Sequence, residues 1–121
     1  MSKWSALHTW MGSFGLTAYE ESNVPNAAPL PYLTYQYNTS SFGAGEVAVV
    51  VNLWYRTASN DIPNAKAEQI YNTIGRGGVM IPVENGTIWI KRGSPFVQSI
   101  SDTDASIRRR YINLTAEFLT A

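Results

Sequence analysis

The chain has 121 residues, 45% of them hydrophobic and 12% aromatic, and nine Lys+Arg balance nine Asp+Glu. That length suits one core, and zero formal net charge excludes a protein held on nucleic acid or an acidic membrane by its overall field. Cysteine is absent, which removes disulfides, thiolate nucleophiles and thiolate metal sites together.

Charged residues make up only 15%, so more of the surface than usual is neutral or aromatic, the composition of contact surface. No apolar run approaches the roughly 20 residues that span a bilayer. The start of the chain lacks a charged region followed by an apolar stretch and a cleavage site. The expectation is a soluble, unprocessed protein with no membrane partner.

Trp4, Leu7, Met11, Phe14 and Ala18 recur at three- and four-residue spacing, which predicts an amphipathic helix over 3–20. Gly12 and Gly15 lie inside it and each costs about 1 kcal/mol relative to Ala, so close packing or a bend is needed there. The proline-rich segment 21–30 is a loop. Alternation then predicts a hairpin over 31–57. Leu33, Tyr35 and Tyr37 share one face of its first strand, and Val47, Val49, Val51, Leu53 and Tyr55 one face of its second. The other face of that second strand holds Ala48, Val50, Asn52, Trp54 and Arg56, apolar enough to predict a helix over it.

Ser59, Asn60 and Asp61 offer N-cap oxygens ahead of Pro63, and Ala67, Ile70, Tyr71 and Ile74 form the stripe of a second helix, 61–74, that Gly75 stops. A meander over 78–119 follows. Glu84-Asn85-Gly86 makes its first turn, Gly93-Ser94-Pro95 breaks a strand, and Asp102-Thr103-Asp104 turns into the last strand. In that strand Ile112, Leu114, Ala116 and Phe118 face one way, and Arg109, Tyr111, Asn113, Thr115 and Glu117 the other. The chain therefore reads as one α+β domain, 1–121, with a mixed, mainly antiparallel sheet and two helices packed on it.

No constellation of catalytic or ligating groups emerges. His8 is the only histidine, and Glu20 and Glu21 follow it by at least 12 positions, so a metal site is disfavoured. Asp102 and Asp104 do not continue into a calcium loop. Gly75-Arg76-Gly77-Gly78 follows a helix, whereas a phosphate-cradling loop follows a strand. No serine sits in a strand-to-helix elbow, so hydrolase chemistry through a serine and His8 is the weaker alternative. No enzyme activity and no cofactor are expected.

Arg108, Arg109 and Arg110 form the sharpest electrostatic feature. They are read as contacts to a neighbouring subunit's carboxylates, with a solvated strand end or a phosphate contact as alternatives. Period two splits them, sending Arg108 and Arg110 to one face and Arg109 to the other. Arg56, Arg92 and Phe96 complete the candidate contact residues, with plain hairpin packing the equal alternative for Arg92 and Phe96.

The order of elements resembles the tail terminator and tail-completion proteins of long-tailed bacteriophages. The resemblance is carried by Pro31-Tyr32-Leu33-Thr34-Tyr35, Leu53-Trp54-Tyr55-Arg56, Ile70 to Gly78, Trp89 to Gln98, and Arg109-Arg110-Tyr111-Ile112-Asn113 with Glu117-Phe118. It implies a structural virion protein at the head-proximal end of the tail, assembled in the host cytoplasm. Such a protein forms a hexameric ring with copies of itself, caps the major tail tube protein, stops its polymerisation and docks to the head-tail connector. DNA would pass through the ring's pore and be met only non-specifically. A head-completion stopper or minor capsid protein is the alternative of the same kind.

Overall fold

The computed structural model describes residues 1–121. Its elements run α1 (Lys3–Met11), β1 (Thr17–Glu20), β2 (Tyr32–Tyr37), β3 (Glu46–Arg56), α2 (Asp61–Ile74), β4 (Val79–Val83), β5 (Gly86–Ser101) and β6 (Ile107–Leu119). The strands form one six-stranded sheet in the order β1-β2-β3-β6-β5-β4. Only the β1–β2 pair is parallel, so the chain is α+β with a mixed, mainly antiparallel sheet.

The alternation along β2, β3 and β6 sets the register. Tyr35 pairs with Val51 and Val51 with Ile112; Val49 pairs with Leu114, and Ala116 with Ile90. These side chains share the inner face of the sheet, where one cluster of 22 buried residues also takes Ala6, Leu7 and Met11 from α1 and Ala67, Ile70 and Ile74 from α2. Both helices therefore cover the same face. The helix expected over Ala48, Val50, Asn52, Trp54 and Arg56 does not exist, because each helix has one apolar stripe and both stripes are spent on the inner face.

The first helix is shorter than its spacing predicts. It stops at Met11, where the Gly12 N–H bonds back to the carbonyls of His8 and Trp10, and a 3-10 turn over Gly12–Phe14 leads to Gly15 at φ 84°. That left-handed backbone suits glycine and reverses the chain. Residues 17–20 then form β1 along β2. Phe14 and Ala18 are buried as a helical stripe would have them, but they reach the core from a turn and a strand. Lys66 of α2 fastens the turn by donating to the Phe14 carbonyl at 2.6 Å.

The meander is present, with Asn85 at φ 58° in the turn between β4 and β5. Gly93-Ser94-Pro95 does not end a strand. β5 continues through it, and the pairing jumps from Arg92 with Leu114 to Val97 with Ile112, so residues 93–96 bulge against one residue of β6. The bulge is held by Asn113, whose side-chain amide donates to the Pro95 carbonyl at 3.0 Å. A Cβ at Gly93 would collide with the Asn113 backbone carbonyl. Gly93→Ala is therefore expected to cost about 2 kcal/mol, measurable by chemical denaturation, whereas an unchanged midpoint would mean that the bulge relaxes freely.

Candidate interaction surface

The outer face of the sheet carries no helix. Its polar residues are nevertheless dry where large side chains lie over them: Thr34 and Asn52 are each 2% exposed. Register explains the cover, since Tyr32 pairs with Trp54, and Trp54 with Arg109, across three adjacent strands. Tyr19 meets Tyr32 edge-on with ring centres 5.6 Å apart, and Trp54 lies 6.3 Å beyond. The Trp54 indole N–H donates to Thr34 Oγ1 at 2.9 Å. The Arg109 guanidinium sits 4.6 Å from the Trp54 ring centre and donates through Nε to Asn52 Oδ1 at 2.9 Å. Cation and ring attract through the ring quadrupole, and a guanidinium also stacks on it.

Three cations stand on this face. Lys91 is held by Glu46 at 2.6 Å and Glu117 at 3.7 Å, and those partners, the Glu46 hydrogen bond first, raise its pKa. Arg56 is held by Asp104 at 3.2 Å and Ser106 at 2.6 Å. Hydrogen bonds from Ser106, then from Arg56, keep the Asp104 carboxyl below its ordinary range. Arg109 alone has no carboxylate, and neither of its terminal nitrogens bonds within the chain.

The other candidate residues separate. Arg92 points to the inner side, donates to the Tyr71 carbonyl at 3.1 and 3.0 Å, and lies 3.4 Å from the Tyr71 ring centre. Phe96 packs edge-on against the same ring at 5.0 Å. The pair braces the last turn of α2, where the Tyr71 carbonyl also accepts from the Gly75 N–H and the negative end of the dipole favours a cation. Both are half-buried, so the pair has a packing role inside the chain beside the contact role read from the sequence. Arg110 is 4% exposed and bonds Asn60, Asn64 and Ser99, so it cannot reach a partner surface. Arg108 lies on the same inner side, donating weakly to the Ala58 carbonyl at 3.3 Å. Of the arginine triplet, only Arg109 faces outward from the sheet.

A polar cluster went unseen in the sequence. His8 Nδ1 lies 2.7 Å from the Tyr35 hydroxyl, and Tyr37 donates to Glu20 Oε1 at 2.6 Å. His8, Glu20 and Tyr35 line one open groove with Trp4, Ser5 and Thr9. Sequence separation hid it, because Glu20 reaches the groove only through the unexpected strand β1. No group of three His, Cys, Asp or Glu side chains converges as a metal site would need, and no helix is long and apolar enough to cross a membrane.

No protein-family model, curated protein or solved structure matches the chain.

Proposed function

We propose that this chain is a structural assembly subunit, and that it acts as the tail terminator of a long-tailed bacteriophage: a ring of copies that caps the tail tube, ends its growth and meets the head connector. The carrying observation is the helix-free outer face, with Tyr19, Tyr32, Trp54 and Tyr111 around an Arg109 that lacks a carboxylate. Aromatic side chains and arginine are enriched in the buried centres of protein interfaces, and an unpaired guanidinium selects a partner carboxylate by bidentate pairing. A head-to-tail ring needs a second, different patch. The apolar groove between α1 and β4, lined by Met1, Ala6, Trp10, Ile81 and Pro82, supplies one.

Tyr111 makes no hydrogen bond of its own through its hydroxyl and stands on β6, near the middle of the sheet. Tyr111→Lys is expected to leave stability within about 0.5 kcal/mol of the parent and to abolish rings in negative-stain microscopy, alone or with tail-tube protein. Rings formed equally by the variant would remove the outer face from the interface. A parent chain that stays monomeric and binds neither tubes nor connectors would sink the function, and binding to connector but never to tubes would turn it to a head-completion stopper.

A further inference from the structure

A guanidinium nine-tenths buried normally has a carboxylate against it, because desolvating an unpaired charge is costly. Arg110 has none. Nε donates to Asn64 Oδ1 at 2.9 Å, one terminal nitrogen to Ser99 Oγ and the Arg109 carbonyl at 3.1 Å each, and the other to Asn60 Oδ1 at 3.0 Å. Every acceptor is neutral. Burial, and then the Arg108 charge beside it, pull the Arg110 guanidinium below its ordinary pKa.

Arg108 supplies an independent observation. Its Nε is buried and has no hydrogen-bond partner at all. Unsatisfied buried donors are rare in folded proteins, and this one leaves the Arg108 charge poorly compensated by its own chain. Arg108 and Arg110 both line a cavity of about 230 Å³, between the ends of β5 and β6 and the loop joining them, together with Ser99 and Ser101. One carboxylate, Asp102, also borders it. Its Oδ1 accepts from the Asp104 backbone N–H at 3.0 Å, and no carboxylate lies within 4.0 Å of either guanidinium.

We infer that this cavity is an oxyanion site taking a phosphate group, held by the Arg108 guanidinium, with the buried Arg110 charge behind it and Ser99 and Ser101 at its wall. The Arg108 terminal nitrogens make only one bond within the chain, to the Ala58 carbonyl at 3.3 Å, so they offer the forked donors that phosphate oxygens accept, and the Arg110 charge behind them adds attraction. The site belongs to the single chain and stands whether or not the chain forms rings.

Thermal melts at constant ionic strength test it, with inorganic phosphate exchanged for chloride, on the parent and on Arg108→Gln. Phosphate stabilises proteins generally by exclusion from their surface; that effect rises linearly and equally in both. Site binding adds a saturating gain, expected at about 4 °C in the parent and lost in Arg108→Gln. Arg108→Gln keeps the Arg110 network, so it folds. Equal, unsaturating gains in the two proteins overturn the site. If a short single-stranded oligonucleotide reproduces the parent's gain and Arg108→Gln loses it, the phosphate source is a nucleic-acid backbone. If inorganic phosphate alone gives the gain, the source is free phosphate, and the site stands in both cases.

Discussion

Arg110→Ala is expected to destabilise the chain by about 3 kcal/mol, read as a lower denaturant midpoint with an unchanged slope. The guanidinium is the common donor to Asn60 and Asn64 at the start of α2 and to Ser99 on β5, so it fastens the helix to the sheet. Truncation to Ala loses three hydrogen bonds from a charged donor and the packing of the buried Arg110 stem, while the three acceptors, on exposed residues, turn to water. Asn60 shows what the network takes from the helix. It stands at the N-cap of α2, yet its side chain makes no capping bond, and its oxygen serves Arg110 instead. Arg110→Lys keeps the charge but not the fork, and one ammonium cannot span all three acceptors, so most of the loss is expected there too. A loss below about 1 kcal/mol in both variants would mean that water replaces the guanidinium without cost.

Period two made this burial legible in principle. Arg110 precedes Ile112 by two residues, on the face that the alternation assigns to the core, and Asn60 and Asn64 lie one helical turn apart at the start of α2. Tertiary pairing, which sequence does not carry, is what joined them. The same division runs through the fold. Strong local periods gave β3, α2 and β6 close to their observed ends, and Asn85-Gly86 gave the turn between β4 and β5. The first helix failed because Leu7, Met11, Phe14 and Ala18 fit a helical stripe while the backbone at Gly12 and Gly15 does not. β1 could not be read locally, since its four residues pair in parallel with a strand beyond a long loop. The outer face was half legible. Its aromatic and Arg residues were visible by alternation, but helix α2 could have covered either side of the sheet, and only packing decides which.

That same packing makes stability sensitive to alkali. Tyr35 is 2% exposed; burial first, and then the nearby Glu20 carboxylate, push its phenol well above the ordinary value. Tyr37 is raised by its hydrogen bond to Glu20, and Tyr55 by burial. In each case the folded chain holds the phenolic proton more tightly than the unfolded chain does. The associated stability is thus fully present below the unfolded phenol pKa, about 10, and is lost as pH rises from there through the folded values. Each unit of raised pKa is worth about 1.4 kcal/mol, so urea midpoints are expected to fall steeply from about pH 10 to about pH 12. Tyr35→Phe removes the largest of these groups and flattens that fall. At neutral pH it costs only about 1 kcal/mol for the lost hydrogen bond, because the exposed His8 ring exchanges the Tyr35 hydroxyl for water. A parent chain whose midpoint holds constant to about pH 12, or a Tyr35→Phe variant as alkali-sensitive as the parent, would show that this phenol is not buried as a neutral group.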